Sequence, residues 1–476
     1  MQKLARLREL GIDPYPASFA GRDPIGPARE RAEGATVRVA GRLVLWRRHG
    51  GATFAQLRDQ SGQIQLHFRR DTIGQERYET IKLLDVGDFI GVEGPLFTTK
   101  TGELTVEVQE FTVLTKALLP LPEKWHGLTD PEVRVRKRHL TLITEPESKQ
   151  ILVTRAAFLR SMRAFLDGEE FIEVATPVLE SIPGGADAEP FVTHHNALDT
   201  DFYLRISLEL AHKRLIVGGL ERVYEIGRVF RNEGIGREHL QDYDLLEFYI
   251  AYADREMLER FVERFYTTVI QETFGTLTLP YGDHQLDFTP PWPRADYSEL
   301  FRELAGIDLS EYPTAESLRP VAKKHSGAEP AAGLGRGRLI DVIYKSAIRP
   351  TLIQPQFLVN HPVDISPLAK RHPDDPSRVQ RFQVLMAGSE VGNGFAELND
   401  PLDQRERFEE QMRLREAGDR EAQMLDEEFI EALEYGMPPT AGFGVSIERW
   451  LMYLTNSHSI RDVVAFPLTR PAPPDD

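Results

Sequence analysis

The sequence predicts an α+β protein: a small N-terminal β-barrel followed by a larger domain built on an antiparallel β-sheet flanked by helices. Three observations predict it. Between residues 36 and 110, apolar and polar side chains alternate at period 2 in short runs broken at Ser61-Gly62 and Thr101-Gly102. After Lys116 this pattern gives way to a Pro-rich stretch, Leu118 to Trp125, and then a highly charged one, Pro131 to His139. Beyond it, helical spacings flank strand pairs whose connections are of hairpin length, which favours antiparallel pairing. The expected organisation is a barrel domain over 1–116, a linker over 117–147 and a main domain over 148–476, with a mainly helical segment near 255–345.

Composition narrows the class. The chain has 476 residues, 41% of them hydrophobic, which excludes a mainly disordered protein and suffices for more than one core. It has no cysteine, so disulfides, thiolate zinc sites and cysteine nucleophiles are excluded together. No apolar run approaches the ~18 residues of a membrane span. Met1 to Leu10 is amphipathic and lacks the apolar centre of a signal peptide, so a soluble, cytoplasmic protein is expected. With 57 Lys plus Arg against 74 Asp plus Glu, the net charge is −17, which taken whole argues against a nucleic-acid binder. The charge is uneven: residues 1–116 carry +2 and the remainder −19. Nucleic-acid contact is then confined to local basic strips, such as Arg47-Arg48, Arg69-Arg70 and Arg134 to Arg138.

In the barrel region, Val37, Val39, Leu43 and Leu45 are expected to face the core between Arg38, Ala40, Arg42 and Val44. Ala55 and Leu57 face inward in the next run, which leaves Phe54 outside with Gln56 and Arg58. Ile64, Leu66 and Phe68 point in while Gln65 and His67 point out; Leu104, Val106 and Val108 point in while Glu103, Thr105 and Glu107 point out. Five or so such strands in about 80 residues suggest a Greek-key barrel of the OB type. In the main part, Phe158, Met162, Phe165 and Leu166 predict an amphipathic helix that ends before Val174-Ala175-Thr176-Pro177. Val223 to Arg231 and Tyr243 to Tyr252 read as strands joined by a polar loop. Two more strands, near Phe382 to Ala387 and Val391 to Leu398, precede helical residues 403–435, with Gly436 as a C-cap. The last helix is expected to open at Gly442-Phe443-Gly444 and to bury Ile447, Leu451 and Leu454.

Four places carry chemistry. Phe230-Arg231-Asn232-Glu233, His239 and the run Tyr243 to Tyr249 put Tyr243, Leu245, Glu247 and Tyr249 on one strand face and Leu246, Phe248 and Ile250 on the other. The first set makes a polar floor for an anionic and aromatic ligand, because arginine forks onto phosphate or carboxylate and a ring can stack on a base; a solvated, ion-paired hairpin has the same pattern. Gly442 to Arg449 combines glycines with an arginine, which suits close backbone approach or anion binding, or tight packing alone. Asn393 and Glu397 share a strand parity, and Glu390 joins them only if a bulge intervenes; these carboxylates suit Mg²⁺ or a cationic side chain, or a charged strand edge. On the barrel, outward Phe54, Gln65 and Glu103 match the way single-stranded RNA is read, by stacking and by hydrogen bonds to base edges. His194-His195 has metal-ligand residue types, but nothing near it in sequence completes a zinc set, so these histidines are expected to be structural or substrate-adjacent.

Together these segments resemble the class II aminoacyl-tRNA synthetases, specifically the bacterial-type lysyl-tRNA synthetases. The resemblance runs from Leu10-Gly11-Ile12-Asp13-Pro14 through Pro120 to Leu128, Phe171 to Pro177 (motif 1), Ile182 to Ala186, Thr193 to Leu198, Phe230 to Glu233 (motif 2), Gly394 to Pro401 and Gly442 to Arg449 (motif 3). It implies a two-step reaction: L-lysine and ATP give lysyl-adenylate and pyrophosphate, and the 3′ end of tRNA(Lys) then takes the lysyl group. Arg231 would hold the α-phosphate and lysine carboxylate, Glu233 the adenine amine, His239 the outer phosphates, Tyr243 the adenine face and Arg449 the γ-phosphate. Glu209 and the Gly185 backbone would take the α-ammonium, Asn393 the carboxylate, Glu397 with Tyr249 the ε-ammonium, and Glu247 would complete the acidic wall. Phe54 and Gln65, with Arg47 and Glu103 as helpers, would read the anticodon, and Pro177 would lie at a homodimer interface. The implied cofactor is Mg²⁺ and the partners are tRNA(Lys), lysine, ATP and a second copy of the chain, with no membrane and no DNA.

The sequence also departs from the family pattern. Gln383 stands where a metal-binding glutamate is expected, leaving Glu390 as the carboxylate for Mg²⁺. Asp244 replaces a usual threonine. An aspartyl or asparaginyl synthetase, and an inactive RNA-binding paralogue, are the alternatives; the first would want a basic pocket, which Glu247, Tyr249 and Glu397 oppose.

Overall fold

The computed structural model describes residues 1–49, 51–122, 128 and 130–470. Residues 123–127 of the Pro-rich stretch and of the Pro120 to Leu128 motif lie outside the described residues. The chain divides into two compact units, Met1–Thr129 and Asp130–Asp476.

The first unit holds six strands: β1 (Thr36–His49), β2 (Ala52–Arg58), β3 (Gln63–Arg69), β4 (Phe89–Thr98), β5 (Leu104–Glu107) and β6 (Glu110–Thr115). They pair in the order β1-β2-β3-β5-β4-β6, and an added β1–β4 pairing closes the ring. Closure leaves an inside and an outside, so period-2 alternation sorts the side chains. Val37, Val39, Leu43, Ala55, Leu57, Ile64, Leu66, Val106 and Val108 fill the inside. Leu45 does not follow its expected inward parity. A register shift between Leu43 and Leu45 adds a residue to β1, and Trp46 packs against the core in its place. Thr105, expected outside, is buried.

The second unit is built on an eight-stranded sheet. Its strands are β7 (Ile172–Glu173), β8 (Arg222–Phe230), β9 (Asp242–Ala251), β10 (Arg294–Asp296), β11 (Gln356–Val359), β12 (Arg381–Met386), β13 (Ser389–Ala396) and β14 (Thr440–Ser446). They lie in the order β10-β11-β12-β13-β14-β9-β8-β7. The pairs from β11 to β8 are antiparallel and the two outermost are parallel. One face is covered by helices α1 (Pro146–Gly168), α3 (Arg255–Phe274) and α4 (Ile447–Leu454); α2 (Glu209–Val217) packs on the other side of β8 and β9.

Strand β9 obeys its expected alternation: Leu246, Phe248 and Ile250 enter the helix-covered core. Phe248 meets Phe171, Phe261, Phe265 and Phe443 at ring separations of 5.3 to 5.9 Å, the geometry of edge and tilted aromatic packing. Asp244 sits in a charge cluster that ties the strand to two helices. It accepts from Arg228 at 2.8 Å and from Arg155 of α1, while Glu448 of α4 accepts the Asp244 amide at 3.0 Å and Arg155 at 2.8 Å. A threonine could not hold both arginines.

Some expectations are corrected or refined. Gly442 to Gly444 do not open a helix but lie in β14, and the helix begins after Ser446, whose hydroxyl caps the Arg449 amide at 3.3 Å. The segment 255–345 is helical over most of its length and also includes a hairpin, Thr278–Tyr281 with His284–Asp287, and strand β10. Residues 403–435 are two helices, Pro401–Glu416 and Glu427–Glu434. Residues 131–144 form helices Pro131–Arg136 and Arg138–Thr144 of the second unit. Arg138 is buried there and donates to the Asp462 carbonyl at 2.6 Å, while Arg134 pairs with Glu145, so this strip is largely structural and not a free basic surface.

Phe248→Ala would leave a cavity between four rings and is predicted to destabilise the second unit by about 3–5 kcal/mol, measured as the shift of its guanidinium unfolding midpoint.

Candidate functional site

The strand face of β9 opposite the core opens into a cavity of about 1010 Å³. Tyr243, Leu245, Glu247 and Tyr249 form part of its floor. The facing residues of β14 are Gly444 opposite Glu247 and Gly442 opposite Tyr249. A Cβ at Gly442 would collide with the Glu397 carboxylate and the Tyr249 ring, so the glycine supplies space for two ligand-facing groups. Gly185 lines the same end with φ +84°, where a side chain would also press on Glu209 and Ser207 at 3.0 Å.

The inner end of the cavity is acidic. Glu247 accepts from Ser207 Oγ at 2.8 Å, the Leu208 amide at 3.2 Å and the Tyr249 hydroxyl at 2.9 Å. Glu209 and Glu397 are buried beside it, and Lys213 of α2 lies between them. Burial pushes Glu209 up to about 7 and Glu397 well above the usual carboxylate range, because one resident ammonium does not offset three carboxylates. Burial beside Glu247 likewise holds Tyr249 in its neutral form. Asn393 faces the same space, its carbonyl oxygen accepting from Arg381 Nε at 2.7 Å.

The other end is suited to phosphates. Arg231 follows β8, donates to the Ile206 carbonyl at 3.2 Å and stands 5.6 Å from the Tyr243 ring centre. Arg449 donates to the Glu390 carbonyl at 3.2 Å; Glu233 and His239 line the wall. Glu390 reaches this side because the β12–β13 register skips Val391: Val384 pairs with Gly392 and Leu385 with Glu390. The extra residue goes to the core and Glu390 to the cavity. Gln383 donates to Glu390 Oε2 at 2.7 Å and accepts from the Tyr344 hydroxyl at 3.3 Å. It braces Glu390 and leaves the other Glu390 oxygen for a ligand. Among the described residues no group of three His, Cys, Asp or Glu side chains could hold a metal ion by itself. One free carboxylate oxygen fits Mg²⁺ that is carried mainly by a nucleotide's phosphates.

On the barrel, Arg47, Phe54 and His67 are successive cross-strand partners. Phe54 and His67 stack at 4.4 Å with an 8° tilt, and Phe97 lies 5.8 Å from His67. Gln65 is held by Thr105 Oγ1 at 2.8 Å, and exposed Glu103 lies just ahead of β5. His67 and Phe97 extend this aromatic row and were not singled out from sequence, although His67 was placed on the outer face. Pro177 is exposed and away from the cavity, with Ile172 and Leu179 exposed beside it in sequence. His194 and His195 lie on an exposed strand, His194 paired with Asp201 at 2.8 Å, outside the cavity. Arg381 and Lys213 are the site residues that pattern reading missed. Lys213 had a signal, its position four residues after Glu209 on a helix; Arg381 is placed only by strand register.

A nucleotide-sized cavity lined by Arg231 and Arg449 over an antiparallel floor, in a chain that also carries an OB-type ring, points to the class of enzyme that activates a carboxylate with ATP. Residues 130–470 match the family described as tRNA synthetases class II (D, K and N), and residues 37–114 match the OB-fold nucleic acid binding domain. The chain belongs to the class II tRNA synthetases of this group. Among its relatives, the lysine–tRNA ligase of Moorella thermoacetica is 50% identical over 99% of this chain and 97% of its own length. That of Bacillus subtilis is 47% identical over 98% and 96%. Among the described residues no helix is long and apolar enough to cross a membrane.

Gly442→Ala puts a methyl group into the space between Glu397 and Tyr249. It is predicted to cut amino-acid-dependent ATP–pyrophosphate exchange at least about tenfold, a loss of ~1.4 kcal/mol or more in transition-state binding.

Proposed function

We propose that this chain is a lysine–tRNA ligase that activates L-lysine with ATP and transfers it to tRNA(Lys). The observation that carries the reading is the acidic inner end: Glu209, Glu247 and Glu397 converge there, and a buried excess of carboxylates demands a cationic side chain. An aspartate or asparagine substrate would meet repulsion or no partner. The cavity's unbroken set of Arg231, Glu233, His239 and Arg449 supports an active enzyme over an inactive paralogue.

In the reaction, the lysine carboxylate attacks the α-phosphorus of ATP and pyrophosphate leaves in line; the terminal ribose hydroxyl of tRNA then attacks the acyl carbon and AMP leaves. No protein nucleophile is required, so the chain's contribution is positioning and charge stabilisation. Arg231 bridges the attacking carboxylate and the α-phosphate, the two groups whose mutual repulsion opposes the first step. Tyr243 offers its ring to adenine and Glu233 accepts from the adenine amine, while Arg449 and His239 hold the outer phosphates. Asn393, itself held by Arg381, donates its amide to the lysine carboxylate. Glu397 with Tyr249 takes the ε-ammonium, and Glu209 with the Gly185 carbonyl region takes the α-ammonium. Glu390 would hold Mg²⁺, which when bound neutralises charge on the phosphates. Gln383 acts by steering Glu390 and not as a ligand.

The outer row of the ring, Arg47, Phe54, Gln65 and Glu103 with His67 and Phe97, is the surface for the anticodon. The exposed apolar side chains Ile172 (49%), Leu179 (46%) and Val192 (59%) near Pro177 support a homodimer, since a second copy would cover them. The reading places the enzyme in the cytoplasm, where charged tRNA is used.

ATP–pyrophosphate exchange measured with each of the twenty amino acids is expected to respond to lysine; a response to aspartate or asparagine, or none at all, would overturn the reading. Phe54→Ala removes a stacking platform worth about 1–3 kcal/mol per base. It should raise the KM for tRNA about tenfold while leaving lysine-dependent exchange within about twofold, and equal losses in both assays would contradict the division of roles.

A further inference from the structure

Lys213 is a fully buried cation at the inner end of the cavity that none of the roles above uses. Its ammonium lies 2.6 Å from Glu209 Oε1 on its own helix and 2.5 Å from Glu397 Oε2, which follows β13. The rings of Phe395 and Phe429 stand 5.5 and 5.9 Å from it and exclude water from the remaining sides. Glu397 Oε1 is buried without a hydrogen-bond partner among the described residues, next to the gap that Gly442 leaves. The other charged and titratable groups facing this cluster are Glu247 and Tyr249 from β9 and Arg381 from β12.

We propose that Lys213 is a positioning and specificity-determining residue: a permanent internal counter-cation that fixes Glu209 and Glu397 and leaves the acidic end with an excess of negative charge for the ammonium groups of free lysine. The inference rests on the reading of this pocket as the lysine site. Its physical basis is the cost of burying like charges. Without an internal cation, three buried carboxylates would take up protons, and a protonated carboxyl binds an ammonium poorly. With one, Glu209 and Glu397 are tethered to a common point, and the unpartnered Glu397 oxygen is turned toward the ligand space. Burial alone would depress Lys213, but Glu209 and Glu397 more than offset it and keep the ammonium charged. Burial still leaves Glu209 at about 7 in the empty pocket, so an arriving lysine displaces a proton and binds better as pH rises through that value. Loss of Lys213 should move this transition to higher pH.

The test compares wild type with Lys213→Met and Lys213→Arg. Lysine affinity is read by calorimetry from pH 6 to 8.5 in two buffers of different ionisation enthalpy, which reports proton release, and the KM for lysine and kcat are read by pyrophosphate exchange. For Lys213→Met the KM at pH 7 should rise at least about tenfold, a shift of one pKa unit or more, with kcat changed less than about threefold. The deficit should shrink toward pH 8.5, more protons should be released on binding than in wild type, and Lys213→Arg should restore affinity to within about threefold at pH 7. A deficit that is the same at every pH would make Lys213 a packing residue and overturn the proposal, as would wild-type affinity in Lys213→Met. Should the methionine variant fail to fold, Lys213→Gln carries the same comparison, and an arginine variant as impaired as a neutral one at pH 7 overturns the proposal by itself. Absence of lysine-dependent exchange in the wild type is a different outcome, because it removes the lysine pocket itself.

Discussion

Three carboxylates buried around one end of a cavity set the terms for the rest of this structure. Glu247 is tolerated because Ser207, Leu208 and Tyr249 all donate to it. Glu209 and Glu397 are held by Lys213. The carboxylates and their partners come from three stretches of chain, residues 207–213, strand β9 and the end of β13, so the sheet and α2 must both be in place before the charges can be buried. The cluster is therefore a product of tertiary structure, and its residual appetite for positive charge is what makes it a recognition site.

The sheet manages two incompatible surfaces through one period-2 rule. Odd positions of β9 meet ligand space and even positions meet α1, α3 and α4. On neighbouring β14 the rule is used differently: Phe443 and Val445 enter the core, but the cavity-facing positions are glycines, so the floor is indented where β9 carries its largest polar groups. Bulky, charged and absent side chains alternate along adjacent strands to shape a volume.

Much of this was legible in the sequence. The two-sided reading of residues 243–250 needed only alternation, and the barrel's inner and outer faces were largely read the same way. What stayed hidden arose where alternation breaks or where distant strands meet. Leu45 was assigned the wrong face because a bulge in β1 leaves no signature in residue types. Gly442 to Gly444 resembled the start of a helix because two glycines beside Ser446 satisfy a helix start and a crowded central strand equally well. Arg381 gains meaning only from its register with Phe395 and its hydrogen bond to Asn393. Arg138 looked like part of a basic strip until burial against Asp462 made it an anchor.

The skipped residue in β13 acts as a phase shifter. By spending Val391 on the core, the strand changes which of its side chains count as ligand-facing from Glu390 onward, without altering a single residue type. Strand pairing at this point thus carries chemical information. The same residues paired without the bulge would present Val391 to the phosphates and press the Glu390 carboxylate into the core, with no change in sequence at all.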